Sequence, residues 1–204
     1  MPYGPKKGHS DHIAPARARD LAEAAVYAEE IGHPLNTCID INWTRTSVGD
    51  DPKGAHLQRV IKKARRWLGK EGEELFALWV REAPRKGPNS HLMMHLPHGQ
   101  LKALKKVGPD LLPEGCQDTD GKAVWIHPTG NSKEARAARV IYISKGVRPG
   151  RTADQLGIGP EKQGRVFGKR CGMTENLSAA ARDRHRAATA ASVAPRKGAS
   201  TRAA

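Results

Sequence analysis

Three short segments of the chain carry side chains that could together break and rejoin a phosphodiester bond. They are Ile39-Asp40-Ile41-Asn42, then Glu82 followed by Asn89-Ser90-His91, and finally Tyr142-Ile143-Ser144-Lys145. The first two segments supply carboxylate, amide and imidazole groups that could hold a divalent cation, and the third supplies a phenol near an ammonium group. Transesterification at phosphorus needs a nucleophile and an electrophilic activator, and these residues offer both in chain order.

The spacing of Asn89 and His91 places both side chains on one face of a predicted strand. Residues i and i+2 of a strand lie about 6 to 7 Å apart on the same face, so these two could share one cation, whereas Ser90 points away. Glu82 ends the preceding predicted strand, across a short turn, and could supply a third ligand. A carboxylate, an amide oxygen and an imidazole suit Mg²⁺ or Mn²⁺.

Tyr142 is the candidate nucleophile. A neutral phenol reacts poorly until its phenolate is stabilised. Lys145 lies one turn later on a predicted helix, so its charge could stabilise the phenolate or hold the scissile phosphate. Tyr-x-x-Lys is a common pattern in which a ring often simply packs on a Lys stem. Its position after the candidate metal ligands is what makes Tyr142 a candidate.

Hydrophobic periodicity predicts the elements that must position these residues. Helices are predicted over residues 15–31, 57–68, 100–107 and 132–145, and strands over 37–44, 75–82, 89–96 and 122–127, with Ser132 as an N-cap. This order predicts an α+β fold, a ferredoxin-like or RRM-like antiparallel sheet with helices on one face. An extra N-terminal helix and a basic C-terminal helix and tail complete the prediction.

Composition divides the chain into three parts. Residues 1–34 are predicted to form a flexible leader and N-terminal helix, and residues 35–180 the domain that carries the candidate site. Residues 181–204, rich in Ala, Ser and Arg, are predicted to form a basic, disordered tail. The basic segment 168–172, flanked by glycines, is predicted to be a turn.

The charge balance points to a polyphosphate partner. The 204 residues include 35 Lys and Arg against 21 Asp and Glu, a formal net charge of +14, which favours nucleic acid. An anionic membrane is disfavoured because the sequence has neither a long apolar stretch nor a basic amphipathic helix with a bulky apolar face. Three widely spaced cysteines and the lack of a secretory signal predict reduced thiols and a cytoplasmic protein.

The three segments resemble the motifs of the HUH-type rolling-circle replication initiators of plasmids, phages and small single-stranded DNA viruses, and of their relaxase relatives. Those proteins have a first motif in a strand, here residues 37–43. A second motif is His-hydrophobic-His with a Glu upstream, here Glu82 to His91, and a third is Tyr-x-x-Lys on a helix, here Tyr142 to Lys145. The resemblance covers residues 35–180. One departure is that Asn89 stands where the family has its first His, which implies weaker metal binding or lost catalysis.

The resemblance implies a metal-dependent DNA endonuclease and strand transferase. With Mg²⁺ or Mn²⁺ held by Glu82, Asn89 and His91, attack by Tyr142 would leave a 5′-phosphotyrosyl link and a free 3′-hydroxyl, from which rolling-circle replication or mobilisation of a plasmid or phage element could start. The implied partners are single-stranded DNA or a DNA hairpin. Because the chain has no G-x-x-x-x-G-K-[ST] loop, a host helicase is implied as a separate partner. The expected DNA contacts are Asp40, Asn42, Arg85, Lys86, His95, Lys169 and Arg170.

Two other functions fit parts of the sequence. The chain could be a catalytically inactive nucleic-acid-binding module on the same fold, with Asn89 the trace of a lost site. It could also be a basic structural or ribosome-associated protein whose motif matches arise by chance. The presence of Glu82, His91, Tyr142 and Lys145 in the right order argues against the chance matches, and an activity assay separates a nuclease from a binding module.

Overall fold

A five-stranded antiparallel sheet forms the centre of the structure. A computed structural model describes residues 8–193. Two short strands, β1 (His9–Ser10) and β6 (Val166–Phe167), pair with each other, and the large sheet contains β2 (Thr37–Asn42), β3 (Ala77–Glu82), β4 (Asn89–Met94), β5 (Val124–Pro128) and β7 (Cys171–Met173). The spatial order is β5-β2-β4-β3-β7, which is the split βαβ order of a ferredoxin-like sheet with β7 added at one edge. The predicted α+β, ferredoxin-like arrangement is confirmed.

The register of the central strands places the candidate residues on one face. Asp40 of β2 pairs with His91 of β4, and Glu82 of β3 pairs with Asn89 of β4. Paired residues share a face, and so do residues two apart, so all four side chains project from the same side of the sheet. Ser90 points to the opposite side, as predicted, where its hydroxyl accepts a hydrogen bond from the buried indole of Trp43 at 2.9 Å.

The two crossover helices cover the sheet face opposite the candidate residues. They are α2 (Ala55–Gly69), which links β2 to β3, and α3 (Leu101–Val107), which lies between β4 and β5. Leu57 and Leu68 of α2 and Leu104 of α3 are buried in one apolar cluster with Ile39 and Leu92 of the sheet. The prediction of helices on one face holds for this pair, because the i, i+3, i+4 apolar stripe of α2 can be buried only against the sheet.

The face that carries the candidate residues is covered by helices outside the ferredoxin-like core. These are α1 (Pro15–Glu30) and α4 (Lys133–Ile143), with the short α5 (Arg151–Gln155) and the C-terminal α6 (Ala179–Val193) beside them. Leu21 of α1 and Ile143 of α4 are buried in a second apolar cluster with Leu78 and Met93. Helices therefore lie on both faces of the sheet, and α4 lies over the face that carries Asp40 and His91.

The parts of the leader and of the tail that the structure describes are more ordered than the sequence predicts. Within the leader, residues 8–14 are held by the pairing of β1 with β6 and by Ile13, which is 1% exposed and bridges Val147. Within the predicted tail, residues 181–193 belong to α6, where the buried Arg182 donates to Asp20 at 2.6 Å. The remaining residues of leader and tail, 1–7 and 194–204, lie outside the described residues.

The basic segment predicted as a turn is partly a strand. Cys171–Met173 forms β7, because the outer edge of β3 offers unpaired backbone groups and Val80 pairs with Cys171. All three cysteines of the chain are buried and form no disulfide. Among the helices of the described residues, none combines the length and apolar character needed to span a membrane.

Gly164 holds the end of β3 against the segment that leads into β6. Its φ is +67°, and a Cβ there would lie 1.6 Å from the carbonyl oxygen of Ala83, next to Glu82. We expect Gly164→Ala to lower the free energy of unfolding by about 3 kcal/mol, because left-handed strain and a backbone clash add. Urea denaturation measures this, with Gly157→Ala as control: Gly157 has a similar φ of +65° but open space around it. Equal losses in the two variants would contradict the close approach to Ala83.

Candidate functional site

Asp40 lies at the centre of a network of donors on the covered face of the sheet. Its Oδ1 accepts from Cys38 Sγ at 3.2 Å and lies 2.6 Å from His91 Nδ1, and its Oδ2 lies 2.9 Å from His127 Nε2. Arg139 of α4 donates to both oxygens, at 2.9 and 2.6 Å. The sequence predicts a DNA contact for Asp40, but both of its carboxylate oxygens are engaged by protein groups.

The charges of this network stabilise one another. Burial opposes the charge on Asp40, yet hydrogen bonds from His91 and His127 and the charges of His91 and Arg139 hold the pKa of its carboxyl well below the ordinary value. Burial also opposes a charged His91, but the hydrogen bond to Asp40 and the nearby carboxylate of Glu82 raise the pKa of the imidazole overall. Burial, followed by the charge of Asp40, raises the pKa of the Cys38 thiol, which therefore stays protonated near neutral pH.

Cys38, Asp40 and His127 are close enough to suggest a second type of metal site. Their ligand atoms lie within 4.8 Å of one another. However, the Arg139 guanidinium donates to Cys38 Sγ at 3.4 Å as well as to Asp40. A cation at this position would meet a guanidinium that is already paired with the same ligands. The cluster therefore fits a hydrogen-bonded carboxylate better than a metal site.

His91, Glu82 and Asn89, which share a face of the sheet, form the candidate site for a divalent cation. The Nδ1 of His91 is held by Asp40, which leaves its Nε2 directed at Glu82, with 3.5 Å to Oε2. Within the described residues, neither His91 Nε2 nor Glu82 Oε1 has a hydrogen-bond partner, and both atoms are buried. The amide nitrogen of Asn89 donates to Gly87 O at 3.3 Å, so the amide oxygen is the atom that can serve as a ligand.

This arrangement has the features that a metal-binding imidazole requires. A ligating His commonly donates its second ring nitrogen to a carboxylate, which fixes the tautomer and the ring orientation. Asp40 plays that part for His91, at 2.6 Å. Buried polar atoms without partners are costly in free energy. A cation that displaces the proton of His91 Nε2 would satisfy this nitrogen and Glu82 Oε1 together. The three ligands predicted from the sequence are thus brought together by β3 and β4, and the residues fit Mg²⁺ or Mn²⁺.

Tyr142 lies near His91 and close to two cationic side chains. Its ring centroid is 6.3 Å from that of His91, and 48% of the residue is exposed. The guanidinium carbon of Arg139 lies 4.9 Å and the Lys145 Nζ 4.3 Å from the ring centroid. Burial opposes the charge of Lys145, but Glu82 and Tyr142 raise its pKa, so its ammonium group stays charged. A phenolate at Tyr142 would have two positive groups nearby.

Two of the residues expected to contact DNA are held by the protein. Arg170 is 5% exposed and donates to Ser10 O at 2.7 Å and to Ser10 Oγ at 3.1 Å, so it fixes β1 to the residue that precedes β7. His95 donates from Nδ1 to Pro34 O at 3.0 Å and contacts His33 edge-on. Both residues hold separate segments of the chain together. A pattern of basic residues in the sequence does not show whether such a side chain contacts DNA or another part of the protein.

The other expected DNA contacts have mixed surroundings. Asn42 caps a short 3₁₀ turn, since its side-chain oxygen accepts from Thr44 N at 3.1 Å. Arg85 and Lys86 are exposed in the turn between β3 and β4, the turn that leads to Asn89. Lys169 is exposed as well, but its Nζ lies 5.2 Å from the Trp79 ring, on the sheet face opposite the candidate site. Among these residues, Arg85 and Lys86 are exposed in the turn before Asn89, and the half-buried Asn42 pairs with Asn89 across β2 and β4.

Arg139 and His127 are residues of the site that the sequence motifs do not include. Arg139 precedes Tyr142 by three residues, as Lys145 follows it by three, so the spacing alone could have placed all three on one face of a helix. His127 lies two residues after Trp125 on β5, so the two side chains share a face of the sheet, and their rings stack with centroids 4.0 Å apart. This spacing could have shown that His127 and Trp125 share a face. It could not have shown that β5 is the neighbour of β2, and that sheet order is what brings His127 beside Asp40.

Comparisons with protein-family models, with curated proteins and with solved structures found no match to this chain. The resemblance to HUH-type proteins therefore depends on the sequence motifs alone.

Proposed function

We propose that this protein nicks single-stranded DNA and transfers the cut strand through a phosphotyrosine intermediate on Tyr142. One observation carries the proposal. The fold brings a half-exposed tyrosine, flanked by Arg139 and Lys145, to 6.3 Å between ring centroids from a His91 whose Nε2 is buried without a hydrogen-bond partner in the described part of the chain. The proposed nucleophile Tyr142 and its two cationic neighbours then lie on the same side of the sheet as the candidate metal ligands.

The reaction is a transesterification at phosphorus. The oxygen of Tyr142 attacks the scissile phosphorus, the bond from phosphorus to the 3′-oxygen breaks, and that oxygen takes up a proton. The phenolic proton leaves to solvent, which reaches Tyr142 because 48% of the residue is exposed. Arg139 and Lys145 stabilise the phenolate and the phosphate. One phosphodiester replaces another, so the 3′-hydroxyl can later reverse the step without ATP.

Glu82, Asn89 and His91 are the residues that would hold Mg²⁺ or Mn²⁺ in this proposal. Such a cation supplies Lewis-acid polarisation of the phosphodiester when bound. The contribution of the chain is to orient the ligands: Asp40 holds His91 Nδ1 at 2.6 Å, and the pairing of Glu82 with Asn89 holds the two oxygen donors side by side. Helix α4 keeps the Tyr142 ring near His91, with 6.3 Å between the ring centroids.

A nick of this kind would start rolling-circle replication or the mobilisation of a plasmid or phage element in the cytoplasm. The net charge of +14 supports a nucleic-acid substrate. A host helicase as partner belongs to the same proposal, because strand transfer needs unwound DNA.

Covalent capture of DNA tests the proposal. The purified full chain is incubated with single-stranded DNA that carries fluorescein at its 3′ end, and with the same sequence as a hairpin, in the presence of Mn²⁺. We expect a labelled protein band on a denaturing gel that disappears when EDTA is added. Free 3′-hydroxyl fragments should appear in equal amount. No adduct on any of a library of random single strands would contradict the nuclease proposal.

The variant Asn89→His tests whether Asn89 lowers the metal affinity and the nicking activity of the candidate site. Position 89 lies on the same face of β4 as His91, so an imidazole there should tighten Mn²⁺ binding by about tenfold and raise nicking in proportion. Calorimetry measures the Mn²⁺ affinity and the gel assay the nicking. Asn131→His is the matched control, since Asn131 is an exposed loop residue. A gain in neither quantity would show that residues 89 and 91 do not share a cation.

A second function, a nucleic-acid-binding module without catalysis, is favoured by one observation. Asn89 occupies the position where HUH-type proteins carry a His, and an amide oxygen is a weaker ligand than imidazole for Mn²⁺. In that case Asn89→His should add metal affinity without cleavage. The same experiment therefore separates the two functions.

A further inference from the structure

Trp125 is the exposed tryptophan of this chain. Of the four tryptophans, Trp43 and Trp79 are 0% and 5% exposed and Trp67 is partly buried, whereas Trp125 is 62% exposed. Leaving so large an apolar surface in water forgoes a substantial burial free energy. The residue lies on β5, an edge strand of the large sheet, with its ring stacked on His127 at 4.0 Å and an interplanar angle of 26°.

Trp125 is connected directly to the candidate nicking site. It pairs with Asp40 across β5 and β2, and Asp40 pairs with His91 across β2 and β4. Adjacent strands lie about 4.8 Å apart, so the Trp125 backbone is roughly 10 Å from that of His91. His127, on which the indole stacks, bonds Asp40 at 2.9 Å. The indole is therefore held in place by the same carboxylate that orients His91.

We propose that Trp125 is a stacking platform for an unpaired base of the DNA strand that enters the site. The inference rests on the proposed function and adds how the substrate is selected: an exposed ring face binds a base only when the base is not paired and stacked within a duplex. His127 covers one face of the indole, so a base on the other face continues an existing stack. The strong positive charge of the chain supplies the attraction to phosphates that stacking lacks.

Binding without chemistry tests the platform. We use the full chain with Tyr142→Phe in EDTA, and measure fluorescence anisotropy of a fluorescein-labelled single strand and of the same sequence as a duplex. Adding Trp125→Ala should weaken single-strand binding on the order of tenfold and leave duplex binding unchanged. Trp125→Phe should retain affinity within about threefold, because an aromatic face remains. Thermal unfolding shows that each variant is folded.

Lys122→Ala separates stacking from charge. Lys122 is exposed, three residues before Trp125. Its loss should weaken single strand and duplex alike and reduce the salt dependence of binding, whereas Trp125→Ala should leave the salt dependence unchanged. A series of single strands, each with an abasic nucleotide at a different position, locates the stacked base. In the parent, the abasic nucleotide should weaken binding at one of these positions. In the Trp125→Ala variant the same abasic position should have no effect.

Each outcome decides between the platform and its rivals. Equal single-strand affinities of parent and Trp125→Ala would overturn the platform, and so would an equal loss for single strand and duplex. Unchanged DNA binding together with lost self-association would assign Trp125 to a protein contact instead. Because the assay uses neither metal nor the Tyr142 hydroxyl, a missing covalent adduct would refute nicking and leave the platform standing.

Discussion

Tyr142→Phe is expected to abolish the covalent DNA adduct while changing single-strand affinity by less than about twofold. The substitution removes one hydroxyl and no charge, and the ring that contacts Arg139 and Lys145 remains. Losing the attacking oxygen should lower adduct formation by roughly 10³-fold or more, as removal of a nucleophile does in other enzymes. The gel assay and fluorescence anisotropy, run on the same preparation, measure the two quantities.

Tyr27→Phe is the matched control for this experiment. Tyr27 is 8% exposed, with its ring edge-on to His185, so its hydroxyl is not placed to reach DNA. That variant should keep the adduct at the parent level. An adduct that survives in Tyr142→Phe would move the nucleophile to another residue, and Tyr3, which lies outside the described residues, would be the next tyrosine to replace.

Asp40→Asn should have the second largest effect. An amide in place of the carboxylate removes the charge that pairs with Arg139 and turns one acceptor oxygen into a donor beside His91 and His127. All four side chains are under 20% exposed, so the uncompensated positive charge should lower the free energy of unfolding by about 3 kcal/mol. The Mn²⁺ affinity should fall by about 10- to 100-fold, because His91 loses the partner that orients it.

Denaturation and calorimetry distinguish these two losses. Urea denaturation gives the free energy of unfolding, and Mn²⁺ titration without urea, well below the midpoint of thermal unfolding, gives the affinity of the folded protein. Asp183→Asn is the control with the same charge change, on a side chain that is 73% exposed. It should change either quantity little. If Asp40→Asn is destabilised but binds Mn²⁺ as the parent does, Asp40 supports the fold and does not orient a metal ligand.

The elements of the ferredoxin-like sheet could be predicted from local pattern. Alternation over Ile39, Asp40 and Ile41 indicates a half-buried strand, and the apolar stripe of α2 indicates a helix covering a sheet. Residues i and i+2 of a strand necessarily share a face, so the spacing of Asn89 and His91 is enough to place them together. Glu82 followed from the short turn that joins β3 to β4. These are short-range constraints, which is why a single sequence determines them.

Long-range order decided the rest of the site. No local pattern tells that β5 pairs with β2, and that pairing alone brings His127 to Asp40. No local pattern shows where α4 packs either. Its packing over the sheet brings Arg139 into contact with both Asp40 and Tyr142. Asp40, which the sequence predicts as a DNA contact, is thereby the centre of a charge network. Arg170 was expected to contact DNA, but acceptors from distant segments hold its side chain inside the protein.

The sequence by itself thus determined the four strands of the ferredoxin-like core, the crossover helices, the three candidate metal ligands and the tyrosine with its lysine, because each depends on periodicity or on neighbours within a turn. Tertiary structure alone decided which carboxylate orients His91, which guanidinium flanks Tyr142, and that Trp125 stays exposed beside them. These features depend on which surfaces meet when distant segments pack. Burial free energy is non-directional, so the partner of a buried charge is set by the whole packed arrangement and not by its own segment.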